Sequence, residues 1–328
     1  PTLSAQDLSS IVNDAEAKII FVSNQELVEK VEKAITSNNL ELDIYTLDEV
    51  PNHKSYFQLI EEGKQKQIDL KPYNDAVQEE DLLTLIYTSG TTGKPKGVYL
   101  THKNIISNVG ACSHLLTDDM KKALSFLPLC HIFERMVVYM YISKGVNIYY
   151  AENLDNIVVD INDVNPQVFT TVPRVLEKVY DKVIEKGKAL TGIKKSLFFW
   201  AVELGHQYQE PKLNSAWYNF RLSIARKLIF SKWQEALGGN IKFIISGGAA
   251  LQQRLARIFW AADIKVLEGY GLTETSPVIA VNSWHKDDVK FGSVGRVLKN
   301  LNVKIAEDGE ILVKGPSITS GYYRNPEA

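Results

Sequence analysis

Short apolar runs rich in β-branched residues recur along the chain, and a helical pattern separates most of them. They occupy residues 18–23, 42–47, 82–87, 123–127, 147–150, 167–171, 242–246 and 265–268. Strands buried on both faces have this composition, and helices between them supply the crossovers that parallel pairing needs. A helix starts at Ser4 and a charged one covers 25–35. Residues 48–80 are polar, with a helix near 56–62 and loops signalled by Pro51 and Pro72. Residues 174–242 read as helical and carry 13 Lys+Arg against 6 Asp+Glu, a local charge of +7. Near Phe291 the pattern changes: 303–305 and 311–313 form a predicted hairpin with Asp308-Gly309 at its turn.

Composition excludes several classes. With 37 Lys+Arg against 39 Asp+Glu the net charge is −2, so no global basic field favours nucleic acid. No apolar run reaches the roughly 18–20 residues of a membrane span. The 328 residues suffice for two or three structural units. Cys112 and Cys130 lack metal-ligand spacing and make no disulfide framework, which suits a reducing cytoplasm. Opening at Pro1 and stopping in a polar segment, the sequence reads as a piece of a longer protein.

The stretch with most chemical content is Leu85-Ile-Tyr-Thr-Ser-Gly-Thr-Thr-Gly-Lys-Pro-Lys-Gly-Val-Tyr-Leu-Thr-His102. A predicted strand ends in glycines, hydroxyls and two lysines, then resumes as an apolar run. Glycines let backbone N–H groups turn toward an anion, hydroxyls add donors, and lysine supplies a point charge for phosphate. A polar surface hairpin is the plain alternative. The pattern is not a P-loop, because Pro95 follows Lys94 and the chain goes on as a β-like run. It suits a flexible cover over phosphates.

Residues 87–97, Tyr-Thr-Ser-Gly-Thr-Thr-Gly-Lys-Pro-Lys-Gly, resemble the signature of the adenylate-forming superfamily of acyl-CoA synthetases, peptide-synthetase adenylation domains and luciferases. Further segments follow in that superfamily's order. They are Leu127-Pro-Leu-Cys-His131, Ser246-Gly-Gly-Ala-Ala250, Gly269-Tyr-Gly-Leu-Thr-Glu-Thr275, Gly292-Ser-Val-Gly-Arg296, Gly309-Glu-Ile311 and Gly321-Tyr-Tyr-Arg-Asn-Pro326. His131-Ile-Phe-Glu-Arg135 and Val172-Pro-Arg-Val-Leu-Glu-Lys-Val-Tyr180 resemble the long-chain fatty acid CoA ligases in particular.

The resemblance implies two flavodoxin-like α/β subdomains with mainly parallel sheets, and a small antiparallel β-barrel-like unit at the C-terminal end. The α/β core would cover 1–290, with a helical stretch at about 174–240, and the antiparallel unit would start at 291–328. It also implies a reaction: a fatty acid and ATP give an acyl-adenylate and pyrophosphate, and the acyl group then passes to coenzyme A. Catalysis would be placement and electrostatic stabilisation. Ser89, Gly90, Thr91, Thr92, Gly93 and Lys96 would hold the β/γ-phosphates, and Thr88 with Glu274 would place Mg²⁺. Gly247, Gly248 and Ala249 would wall the adenine, and Tyr270, between Gly269 and Gly271, would stack on its other face. Thr273 would donate to the α-phosphate, and His131 would lie near the incoming carboxylate. Glu134 and Arg135 form either an active-site pair or a surface ion pair. The resemblance also implies a ribose-binding Asp, a hinge and a mobile domain with a catalytic lysine, which would lie beyond Ala328. Two other readings share these motifs: an adenylation module for an amino or aryl acid, and a non-catalytic nucleotide-binding module. The basic helical stretch, with Phe198, Phe199, Trp200, Trp217, Phe230 and Trp233, raises the further expectation of peripheral contact with an anionic membrane.

Overall fold

Ser4 caps the first helix, α1 (Ala5–Asp14), as its sequence predicts. Its hydroxyl accepts from the Asp7 N–H at 3.0 Å, and the Asp7 carboxylate accepts from the Ser4 N–H at 3.3 Å. This helix opens the computed structural model, which describes residues 3–36, 41–89, 95–153, 156–285 and 288–327. Two compact units result, residues 1–102 with 319–328 and residues 103–318.

In the first unit, β1 (Ile19–Val22), β2 (Asp43–Thr46) and β3 (Lys54–Ser55) form a parallel sheet in that order. Helix α2 (Gln25–Thr36) turns Val28, Val31 and Ala34 inward at a three-residue spacing, and the two valines close on Val22 and Val50. Ser55 then caps α3 (Tyr56–Gln65) through Gln58. Pro72, read as a loop signal, instead lies in the first turn of α4 (Lys71–Ala76), where its missing N–H costs no helical bond. Neither α3 nor α4 buries a residue. β4 (Leu82–Ser89) and β5 (Pro95–Thr101) pair antiparallel, so the chain does resume as a strand after the glycine- and hydroxyl-rich segment. Residues 319–328 return to this ladder: Tyr99 N–H donates to the Gly321 carbonyl, and Tyr323 N–H to that of Gly97.

The second unit holds a seven-stranded sheet. After α5 (His102–Cys112) come β6 (Lys122–Ser125), α6 (Ile132–Ser143), β7 (Asn147–Tyr150), α7 (Ile157–Val164) and β8 (Val168–Thr171). A long helical excursion follows, with α8 (Pro173–Lys188), α9 (Gly192–His206), α10 (Ala216–Ala225) and α11 (Ser231–Ala236). The chain then returns through β9 (Phe243–Ser246), α12 (Gln253–Ala261) and β10 (Val266–Gly271). The parallel strands stand in the order β7-β6-β8-β9-β10. That is the flavodoxin-like 2-1-3-4-5 order, whose switch point lies between β6 and β8. β8 and β9 are buried along their whole length, as their apolar composition demands. β11 (Val278–Val281) and β12 (Arg296–Val297) extend the sheet antiparallel beyond β10. The predicted hairpin is present as β13 (Asn302–Ile305) and β14 (Ile311–Lys314), with Gly309 at φ +91° in its turn. The fold is thus mixed α/β, with a mainly parallel central sheet and small antiparallel sheets.

Candidate active site

In open α/β sheets, ligands sit beyond the carboxyl ends of the strands at the switch point. In the second unit those ends border a cavity of about 560 Å³. Leu127, Pro128 and His131 reach it from beyond β6, Val172 from beyond β8, Gly247 and Gly248 from beyond β9, and residues 269–273 from β10 and its turn.

Glu134 removes one side of the choice left open by the sequence. It lies in the first turn of α6, where a carboxylate is favoured by the helix dipole, yet its side chain is wholly buried. One carboxylate oxygen accepts from the Ser125 hydroxyl at 2.5 Å and the other from the Thr170 hydroxyl. Ser125 ends β6 and Thr170 lies on β8, so this carboxylate ties α6 to the switch point itself. It is no surface ion pair. Burial pushes its pKa up, against the pull of those hydrogen bonds.

The outer part of the cavity is built from small residues. A Cβ on Gly247 would stand 3.0 Å from the Phe133 ring, so the glycine lets that ring approach the turn after β9 closely. Gly248 has φ +80°, where glycine is unstrained. Ala249 is exposed and outside the lining. At Gly271 a Cβ would fall 1.8 Å from the Pro277 carbonyl oxygen, so the chain can fold back from β10 to β11 only over a hydrogen. Tyr270 and Thr273 line the cavity; Glu274 follows in the same short 3₁₀ turn and is half-buried. His131 is exposed at the N-cap of α6 and also lines it.

The inner part is apolar. Cys112 and Leu115, at and just after the end of α5, meet Met136 and Met140 of α6, and all four are buried. Asn108 holds α5 to the opposite wall, donating to the Val278 carbonyl at 2.8 Å and accepting from the Val278 N–H at 3.2 Å. Burial pushes the Cys112 thiol up to about 12, so it stays protonated and acts as a small apolar group. The sequence reading missed these four residues, since nothing in their local pattern separates a cavity wall from packed core.

In the first unit, Thr88 and Lys96 face one another across the β4–β5 ladder, next to the pair Tyr87 and Gly97. The Tyr87 hydroxyl donates to Asp14 at 2.5 Å, and its ring lies where a Cβ on Gly97 would fall, 2.9 Å from the nearest ring carbon. The Lys96 ammonium sits 5.2 Å from the centre of the Tyr322 ring. Gly90, Thr91, Thr92 and Gly93 lie outside the described residues, as does the side chain of Ser89. Among the described residues, no group of three or more His, Cys, Asp or Glu is placed to share a metal ion.

The profile of a family described as AMP-binding enzyme matches residues 1–323. A long-chain-fatty-acid–CoA ligase of Mycobacterium bovis is 32% identical over 340 residues, an alignment covering 100% of this chain and 55% of that protein. Long chain acyl-CoA synthetase 3 of Arabidopsis thaliana is 30% identical over 362 residues, covering 99% and 53%. The chain therefore spans about half the length of these relatives. Among solved structures, a long-chain-fatty-acid-CoA ligase from Archaeoglobus fulgidus superposes with a TM-score of 0.68 at 19% identity, covering 99% of this chain and 58% of that one. A luciferase-like enzyme from Zophobas morio gives 0.69 at 18%, covering 99% and 68%. At such identities these two matches speak to the fold.

Proposed function

The chain belongs to the AMP-binding enzyme family, and from that membership we propose that the complete protein is a long-chain fatty acid CoA ligase. Its substrates are a fatty acid, ATP and coenzyme A. The acid's carboxylate attacks the α-phosphate and pyrophosphate leaves; the coenzyme A thiol then attacks the acyl carbon and AMP leaves. The relatives' names support this substrate class.

The observation that carries the reading is the chemistry of the inner cavity. Cys112, Leu115, Met136 and Met140 offer no partner to a substrate amine or a second charge. Glu134, the acidic residue of the lining, already has both oxygens engaged by Ser125 and Thr170. A pocket for an amino acid needs a free polar group for the amine, whereas an alkyl chain gains from apolar walls alone, about 0.8 kcal/mol per buried CH₂.

The other roles are assigned from residue chemistry. The cavity's outer, glycine-rich part suits a flat purine, with Gly247 and Gly248 on one side and Tyr270, between Gly269 and Gly271, on the other; Ala249, outside the lining, is left without a contact in this arrangement. Thr273 supplies a hydroxyl for the α-phosphate, and His131 meets the acid's carboxylate at the outer end. Ser89, Gly90, Thr91, Thr92, Gly93 and Lys96 are assigned to the β/γ-phosphates on their donor-rich pattern. Thr88 and Glu274 offer a hydroxyl and a carboxylate, which suit a Mg²⁺ that takes its other ligands from phosphate and water. Bound there, the ion supplies charge neutralisation of the polyphosphate. The reaction is placed in the cytoplasm, with peripheral contact at an anionic membrane.

ATP–pyrophosphate exchange by the complete protein tests this directly. Palmitate should drive exchange, while a neutral amino acid and benzoate should leave it at background. Exchange driven by the amino or aryl acid, or none with any acid, would overturn the reading.

A further inference from the structure

The helical run from Ala216 to Ala236 is continuous, passing through a π-helical turn at Arg226–Phe230. Its inward side buries Leu222, Ala225, Phe230 and Trp233. Arg226 anchors it by donating to the carbonyls of Ala261 and Trp260 at the end of α12. A surface helix ordinarily sets polar residues opposite such a face. Here the outward side is apolar as well. Trp217, Phe220, Ile224 and Leu228 recur at helical spacing, and Trp217 is 67% and Phe220 56% exposed, their rings stacked 5.7 Å apart.

Another apolar surface makes a useful contrast. Phe57 and Tyr73, on α3 and α4, are 62% and 67% exposed. Their surroundings are acidic: residues 54–81 carry four Lys against seven Asp+Glu, a charge of −3. From Lys188 to Lys232 there are eight Lys+Arg against two Glu, a charge of +6, in a chain whose total is −2. Exposed Lys194, Lys195 and Lys227 belong to that set. Similar apolar exposure therefore lies in stretches of the chain with opposite net charge.

From this we infer that the outward ridge of the Ala216–Ala236 helix docks in the plane of an anionic lipid bilayer. The aromatic and aliphatic ridge enters the boundary between headgroups and acyl chains, and the flanking lysines meet lipid phosphates and carboxylates. The aromatic set suggested by the sequence divides in the structure, since Phe198, Phe230 and Trp233 turn into the core. Among the described residues no helix is long and apolar enough to cross a membrane, so contact through this ridge is peripheral. The inference stands apart from the proposed reaction, since binding needs no acid, ATP or coenzyme A.

Sedimentation of the complete protein with vesicles tests it. Mixed phosphatidylcholine–phosphatidylserine vesicles should bind it, pure phosphatidylcholine far less, and added salt should release it. Substituting Trp217→Ser with Phe220→Ser should weaken binding about tenfold or more, because two partly buried aromatic side chains leave the bilayer. Both side chains are exposed, so the far-UV circular dichroism and thermal midpoint should match the parent's. The pair Phe57→Ser with Tyr73→Ser should bind like the parent. Three outcomes would overturn the inference: no binding by the parent, equal binding to neutral vesicles, or equal weakening by both pairs. A parent that is dimeric in solution, and made monomeric by Trp217→Ser with Phe220→Ser, would also overturn it by assigning the ridge to a second copy.

Discussion

The two ends of the cavity are built from opposite materials. The outer end is made of residues that give up their side chains, Gly247, Gly248, Gly269 and Gly271, and it gains backbone groups and close approach. The inner end is made of residues that fill space, Cys112, Leu115, Met136 and Met140, and it offers only apolar contact. Substitutions at the first should therefore act on every acid alike, and substitutions at the second should act on the choice of acid.

The harshest break is Gly271→Ala. Its Cβ would lie 1.8 Å from the Pro277 carbonyl oxygen, which is backbone and cannot swing aside, so the β10–β11 turn must move. Adenylation should fall about 100-fold with every acid, as for a misplacement of about 1 Å near the reacting atoms. Overpacking should also lower stability by about 1–3 kcal/mol. Exchange assays and thermal melts together measure both, and near-parental exchange would show that the turn does not shape the nucleotide end.

With Lys96 on the β/γ-phosphates as proposed, Lys96→Ala would remove one charge-assisted contact, worth about 1.5–3 kcal/mol, so kcat/KM for ATP should drop roughly 10–150-fold. The loss should be the same for octanoate and palmitate. A loss confined to one chain length would place Lys96 with acid selection instead.

Glu134, which ties α6 to β6 and β8, should show the smallest effect. Its pKa is raised by burial above the ordinary carboxyl value of 4.5. Its contribution to stability is therefore fully present below about pH 4.5 and is lost as pH rises through the folded-state value. Glu134→Gln removes the titration, and hydroxyl rotors on Ser125 and Thr170 can reorient to suit the amide. The variant's stability should then lack that decline above pH 4.5, with a net change of about 1 kcal/mol at pH 7. Urea melts across that range measure it, and a variant that keeps the parent's decline would assign the titration to another group.

What could be read from the sequence follows the same division. Strand positions, the Ser4 cap, the 303–313 hairpin and the glycine-rich turns were legible because each is set by residues near one another in the chain. The inner cavity was not. Cys112 and Met140 look like any core residues until α5 and α6 are packed, and the partners of Glu134 include Thr170, 36 residues away. β11 was missed because its pairing depends on the reversal after Gly271, where the constraint is a close approach of Pro277. The ridge of Trp217, Phe220, Ile224 and Leu228 was read only as part of a mixed aromatic set. Which side of that helix turns inward is decided by packing and by the Arg226 contacts to α12.

The central claim is that the Cys112 end holds the acyl chain while the glycine end holds the nucleotide. Cys112→Phe tests it, by filling the inner cavity with a larger apolar side chain. The measurement is kcat/KM for palmitate over that for octanoate, with KM for ATP followed alongside. At about 0.8 kcal/mol per methylene, losing room for two or more should cut the palmitate preference at least roughly tenfold and leave KM for ATP near the parent's. An active variant with an unchanged palmitate-to-octanoate ratio, or one whose defect lies in KM for ATP, would contradict the account.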